Sequence, residues 1–251
     1  MAHLLTEETS LTRKRKAVLS ETTWLNRLVK IEAGLAVVLT LGGLVVFVWK
    51  GSGVLLGFGI VAAVFWLAHA LRIKENRKEE RRVQSGLKGE ADVTRRLAEA
   101  LDNSHYILND FVVPVGRQTA QIDHLVISPK ALFVIETKNW SGHIEGDENE
   151  TTWTRTRRPG EPPDTVSNPI RQLRRQIDML RNKLEKSGID WPDIVGMVVF
   201  TSPRTTHYIH PSTVPVLSPD EAASGIARYQ AKRVYRQEEI DAVVNLLMRS
   251  S

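Results

Sequence analysis

Two apolar runs constrain this chain more than any other feature. Residues 33–49, AGLAVVLTLGGLVVFVW, pass 17 positions without a charge, and residues 51–71, GSGVLLGFGIVAAVFWLAHAL, hold His69 as their only ionisable group. As helices they would be roughly 25–31 Å long, close to the thickness of a bilayer's hydrocarbon core. Neither carries the polar stripe of a surface helix. Gly34, Gly42, Gly43, Gly57, Gly59, Ala62 and Ala63 suit close helix–helix packing in lipid, and Trp49 and Trp66 lie toward span ends, where indole rings favour the interface.

The KGSG connection (50–53) is tight, so the expectation is a transmembrane hairpin with helices at about 33–49 and 53–71. Glu32 marks the edge of the first. Both outer flanks are basic: Arg13, Lys14, Arg15, Lys16, Arg27 and Lys30 precede it, and Arg72, Lys74, Arg77, Lys78, Arg81 and Arg82 follow. The positive-inside rule then places both termini in the cytoplasm of a multi-pass cell-membrane protein. A secretory signal would be shorter and nearer the start. A buried soluble hairpin is the alternative.

The net charge of +5 does not by itself indicate a nucleic-acid partner. Residues 1–85 hold 13 Lys/Arg against 7 Asp/Glu, whereas residues 86–251 hold 21 against 22. Nucleic-acid contacts from the C-terminal part therefore need local patches. The chain has no cysteine, which excludes disulfides, thiolate metal sites and cysteine nucleophiles.

The expected layout is a cytoplasmic segment 1–30, the membrane region 31–71, a charged and helical linker 72–85, an α/β domain 86–200 and a C-terminal extension 201–251 with strand and helices. In the domain, LKGEADVTRRLAEALD (87–102) has helical periodicity. HYILNDFVVPV (105–115), QIDHLVIS (121–128) and ALFVIETKN (131–139) read as strands, joined by breaks short enough for antiparallel neighbours. Residues 142–164 are a polar excursion, expected as an irregular hairpin. NPIRQLRRQIDMLRNKLEKSG (168–188) predicts a helix with Pro169 in its first turn and Gly188 at its stop. IVGMVVF (194–200) and VPVLS (214–218) follow as strands, then a capping box in SPDE (218–221) and a terminal amphipathic helix at 236–250.

The strand ALFVIETKN ends in an unusual way. Glu136 and Lys138 share one face because strand side chains alternate, and they come where an apolar strand leaves the core. Asp123 lies in the neighbouring strand between apolar residues, so pairing of the two strands brings it toward Glu136. Two close carboxylates repel unless one is protonated or a cation lies between them. Oxygen donors favour a hard ion such as Mg²⁺, and Lys138 would then offset charge in a phosphodiester transition state. As an exposed strand-end pair, the same Glu136 and Lys138 would contribute only about 0.2–1 kcal/mol.

GLKGE (86–90), QIDHLVIS (121–128), LFVIETKNWSG (132–142) and NPIRQL (168–173), in this order, resemble the nuclease-related domain (NERD) family, which is similar to the PD-(D/E)XK nuclease superfamily. The resemblance covers roughly residues 86–200. It implies a restriction-endonuclease-like mixed sheet flanked by helices, an α/β (α+β) fold. It also implies Asp123 and Glu136 as acids for Mg²⁺ (or Mn²⁺), Lys138 as the catalytic lysine, Glu90 as a helix-borne acid near the metal, and Gln172 as a polar residue facing the site. The superfamily's leading Pro-Asp is absent, since Ile122 precedes Asp123.

Glu90 also suits the first turn of a helix, where a carboxylate favours the dipole. His124 points away from the Asp123 face in a regular strand and reads as packing, as do Trp140 and Trp153. His143, His207 and His210 have no metal-ligand spacing. Arg171, Arg174 and Arg175 lie beside Gln172 and are candidates to hold nucleic-acid phosphates, with Arg155, Arg157 and Arg158 extending that surface. The leading expectation is a membrane-anchored, Mg²⁺-dependent nuclease acting on DNA, with RNA as the alternative polymer. The alternatives are a catalytically silent domain that binds nucleic acid or protein at the membrane, and a membrane scaffold.

Overall fold

The computed structural model describes residues 1–6, 16–17, 19–21, 23–34, 37–38, 54–115, 118–191 and 193–249, without the side chains of 6, 54–63, 65, 115 and 118. The chain divides into two compact units, one formed by Met1–Thr9 with Gly86–Ser251 and the other by Ser10–Ser85.

In the larger unit a mixed six-stranded sheet has the order β1-β2-β3-β4-β8-β10. Its strands are β1 (His3–Thr6), β2 (Tyr106–Val115), β3 (Gln118–Ile127), β4 (Leu132–Lys138), β8 (Ile194–Phe200) and β10 (Val216–Leu217). The β2–β3–β4 meander is antiparallel, as the short breaks suggest, while β1 on β2, β8 on β4 and β10 on β8 are parallel. Leu132 to Glu136 of β4 are all buried, as expected of a strand covered on both faces.

Two layers of helices provide that cover. On one face, α2 (Pro169–Lys186) and α4 (Gln237–Met248) bring Ile170, Leu173, Leu180, Leu184, Ile240, Val243 and Leu247 to the cluster containing Leu132 and Val134. On the other, Val93 and Leu97 from α1 (Val54–Ala100) join Ala222, Ala223 and Ile226 from α3 (Pro219–Ala227) around Phe133 and Ile135. Each fully buried Leu, Ile or Phe contributes roughly 1.5–3 kcal/mol of transfer free energy. Helices flanking a mixed sheet are compatible with the nuclease-like fold class expected from the sequence.

Three features depart from a plain reading of the sequence. The stretch 142–164 does contain an antiparallel hairpin, but it is part of a larger sheet. It supplies β5 (Gly142–Gly146), β6 (Thr152–Thr156) and part of β7 (Asp164–Ser167), and with β9 (Thr205–Ile209) these build a second sheet in the order β7-β6-β5-β9. Its apolar signal is thin because only Ile144 of β5 and Trp153 of β6 are buried. His3–Thr6 forms a strand on β2 although long sequence separates them. The segment after residue 201 is built into the sheet and both helical layers.

In the smaller unit, residues 23–34 and the first part of α1 are helical. His69 Nδ1 lies 2.5 Å from Glu32 Oε2, and Arg72 lies 3.5 Å from Glu21. Among the described residues no helix is long and apolar enough to cross a membrane. Most of the first apolar run, 33–49, lies outside the described residues, as do the side chains at the start of the second. The transmembrane hairpin expected from the sequence is therefore not supported by the described residues.

Candidate functional site

The β3–β4 ladder runs from Ile127–Leu132 to His124–Ile135, its last pair. Beyond that point β4 stays with β8 as far as Lys138–Phe200, while β3 stays with β2. The two strands part where Asp123 and Glu136 would next have paired. The parting leaves the Thr137 N–H without a ladder partner, and Asp123 Oδ2 accepts it at 2.7 Å. A buried amide is costly to leave unbonded, so Asp123 has a structural task here.

Glu136 is fully buried. One of its oxygens accepts from the Lys138 ammonium in an ion pair. The other accepts from Gln172 Nε2 at 2.8 Å and Gln176 Nε2 at 2.7 Å. Gln172 also accepts from Lys138 Nζ at 3.2 Å, so α2 positions both members of the pair. Gln172 and Gln176 are one helical turn apart and face the same way.

The NPIRQL stretch explains why α2 delivers them. Asn168 caps the helix by accepting the Ile170 N–H at 2.8 Å, and its amide donates to the carbonyls of Asp147, Glu148 and Glu150. Pro169 starts the helix, and Ile170 and Leu173 anchor it in the core. Gly89 in GLKGE has a parallel role. A Cβ there would meet Thr201 Oγ1 at 2.6 Å and Asn139 Cβ at 3.1 Å, so only glycine lets this helix approach the ends of β4 and β8 with Glu90 beside it.

The electrostatics show unrelieved crowding of acids. Burial, then the charge of Glu136, raise the Asp123 carboxyl well above the usual range. Burial, then Asp110 and Glu136, push Glu90 up to about 7, with Lys138 working against them. For Lys138, burial favours the neutral amine. The carboxylates of Glu136 and Asp123 outweigh it and hold the pKa above that of an ordinary lysine. Lys138 is therefore an ammonium at neutral pH, a charge donor rather than a base.

Asp123, Glu136, Lys138, Gln172 and Glu90, the five residues singled out in the sequence, thus lie close enough to act on one another. His124 is fully buried, hydrogen-bonds Asn109 Oδ1 at 2.7 Å, and is driven down to about 3 by burial. It is a neutral packing residue. Arg171, Arg174 and Arg175 do not touch the carboxylates. They line a separate cleft of about 620 Å³ with Glu148 and Asp178, and Arg174 is held by Glu148 at 3.1 Å.

Two residues of the site escaped sequence reasoning. Gln176 sits inside the apolar stripe of α2, a polar break that was available as a signal. Asp110 has φ 54° and stands opposite Asp123, since Asn109 pairs with His124 and Phe111 with Ile122. The Asn-Asp pair interrupting an apolar strand was its signal.

Among the described residues no three His, Asp or Glu side chains form a metal-holding group. Mg²⁺ needs no such cage, since it keeps several waters and takes one or two carboxylates. Two observations suit a hydrated cation here: the like-charge pressure on Asp123, and a buried Gln176 Oε1 that has no hydrogen-bond partner.

Residues 85–201 match the nuclease-related domain, NERD. A protein of Bacillus anthracis described as uncharacterized is 41% identical over 70 residues, which cover 28% of this chain and 33% of that protein. The chain thus spans about a third of the length of this relative. No solved structure matches. The NERD match encloses Glu90, Asp123, Glu136, Lys138 and Gln172, and also Asp110 and Gln176.

Proposed function

We propose that this protein is a membrane-anchored, divalent-cation-dependent phosphodiesterase of DNA, with RNA as the alternative polymer. The observation that carries the reading is the parting of β3 and β4 at Asp123 and Glu136, with the Lys138 ammonium on the same carboxylate. Asp123 and Glu136 would hold Mg²⁺ or Mn²⁺, with Glu90 beside them. A bound cation supplies Lewis-acid stabilisation of charge on the phosphoryl group. Lys138 adds a fixed positive charge for the oxygens that become more negative in the transition state. Gln172 keeps that ammonium oriented, and Gln176 fixes the Glu136 carboxylate from the other side. Water is excluded from the rear of the site by the buried β4 strand.

Anchoring rests on the two apolar runs and on exposed apolar side chains in and beside them: Trp24, Ile31, Val38, Val64, Leu67 and Leu71. The Glu32–His69 contact brings together the outer ends of the two runs, as a hairpin requires. Strand β1 supports placement of both termini on the same side, which the basic flanks assign to the cytoplasm. Its pairing with β2 returns the N-terminus to the domain that follows the hairpin, so any crossings between them must be even in number.

A silent binding module is the second reading. It is favoured by the saturation of Glu136 by Lys138, Gln172 and Gln176. The deciding experiment is cleavage of DNA and RNA oligonucleotides by the purified full-length protein with Mg²⁺ or Mn²⁺, beside Glu136→Ala. Cation-dependent cleavage lost in the variant supports the enzyme. Binding without cleavage assigns the module.

A further inference from the structure

Just past Lys138 the chain passes through Asn139 and Trp140 to Ser141 and Gly142, which border a cleft of about 500 Å³. Arg157, Arg158, Glu161 and Arg204 complete its lining. We propose that this cleft binds a backbone phosphate of the nucleic-acid strand on the side of the scissile position reached through Trp140. The inference rests on the phosphodiesterase reading and names a substrate subsite for it.

The cleft is built from three chain segments tied together. Gly142 N donates to Arg204 O at 3.0 Å, Thr205 Oγ1 donates to Trp140 O, and Arg204 N donates to Ser202 Oγ at 3.3 Å. Gly142 has φ 104°, and a Cβ there would meet Thr156 O at 2.3 Å and Arg157 Cα at 2.8 Å. Glycine therefore allows β5 to abut the strand end that carries Arg157.

Charge then favours an anion. Arg155 and Arg157 share the single carboxylate of Asp164, at 2.7 and 2.6 Å. Arg158 reaches Glu161 only at 3.5 Å and is strongly exposed. Arg204 has no ion pair among the described residues. Three guanidiniums and one carboxylate thus line the cleft, within a segment (86–251) where acids slightly outnumber bases. Guanidinium forks match phosphate oxygens in geometry as well as charge.

Position links the cleft to the chemistry. Trp140 is half-buried, and its ring centroid lies 6.0 Å from both Lys138 Nζ and Arg155 Cζ. Ser141 is three residues beyond Lys138, about 10 Å of extended chain. Phosphates of a strand advance by ~3.4 Å of axis per nucleotide, so a strand held at Lys138 carries further phosphates along the path to Ser141 at the border of the cleft.

The test uses the full-length protein and a fluorescent single-stranded oligonucleotide, with binding measured across salt concentrations in EDTA so that no cleavage intervenes. Arg158→Gln with Arg204→Gln should weaken binding roughly tenfold per arginine and lower the salt slope by about 1 for each. Arg158→Lys with Arg204→Lys should keep the slope. Both side chains are at the surface, and a melting curve unchanged from wild type verifies folding. Wild type that binds but never cleaves with Mg²⁺, with the Gln variant weakened, supports the subsite and overturns the enzyme reading alone. An unchanged affinity and slope in the Gln variant overturns the subsite and leaves the enzyme reading standing. Arginine-dependent binding to vesicles containing phosphatidic acid, without oligonucleotide binding, also overturns it, because the cleft then serves lipid.

Discussion

Two corners of the domain bury a glutamate against a cation, and they differ in what surrounds the carboxylate. Glu148 accepts from Thr213 N at 2.7 Å and Thr213 Oγ1 at 2.9 Å, and pairs with Arg174. The Thr213 amide, more than any other group, draws its pKa below the ordinary value. Glu136 has comparable partners in Lys138, Gln172 and Gln176, yet its neighbours Asp123 and Glu90 are both pushed upward, by burial first and then by nearby carboxylates, Glu136 among them. A carboxylate whose donors leave no acid under pressure is a structural tie. A carboxylate that raises the pKa of other acids marks a site short of positive charge, the condition a bound cation relieves.

The largest expected contrast is in activity. Glu136→Ala should lower cleavage by about 10³-fold or more, the scale at which preorganised electrostatic groups act, as measured by single-turnover cleavage. Glu148→Gln, measured on folded protein, should retain cleavage within a few-fold. It should instead lower the melting temperature, since Arg174 and the Thr213 amide lose their carboxylate. Equal loss of activity in both variants would erase the distinction. Lys138→Ala sharpens it further: cation binding should persist while cleavage falls, because a protonated lysine is no metal ligand.

The cap beneath the same corner gives a stability effect. Asn168→Ala removes a helix cap and three amide donations to carbonyls, with an expected loss of about 2–4 kcal/mol in denaturant unfolding. A loss below about 1 kcal/mol would show that the turn at 147–150 satisfies itself.

Smaller effects follow from the crowded acids. Glu90 has a folded pKa near 7 against 4.5 in a free side chain. The native state therefore holds this proton more tightly than the unfolded state. Its stabilising share is whole below about pH 4.5 and is lost as pH rises through about 7. Metal-free protein should lose on the order of 2 kcal/mol across that window, and Glu90→Gln should flatten this part of a melting-temperature profile. Asp123→Asn keeps an oxygen for the Thr137 amide and removes a disfavoured charge. Metal-free stability at pH 7 should stay equal or rise, since burial and the neighbouring Glu136 disfavour the Asp123 carboxylate. A fall would mean that Asp123 is already compensated, as Glu148 is.

These contrasts also show how far the sequence could be read. The meander was legible because 105–115, 121–128 and 131–139 are apolar strands with short breaks, and α2 because its stripe and Asn-Pro start are local signals. Asp123, Glu136 and Lys138 were legible from the strand-end E-x-K and its acidic neighbour. The second sheet was not, because its strands bury one large side chain each and gain their order from pairing with β9, far along the chain. Nor was β1, whose four residues gain meaning only against β2. Asp110 was hidden because its role depends on register across β3, and Gln176 because a polar residue in an apolar stripe looks like a flaw until Glu136 is seen opposite it.

The central claim is that Asp123 and Glu136 share a cation. Its most direct test is calorimetric titration of Mn²⁺ into the full-length protein at pH 7, in two buffers of different ionisation enthalpy. The expected result is saturable binding with net proton release, because Glu90, held near a pKa of 7 in the metal-free protein, must ionise beside the ion, and a large loss of affinity in Asp123→Asn. Absence of saturable binding, or binding unchanged in Asp123→Asn, would contradict the account.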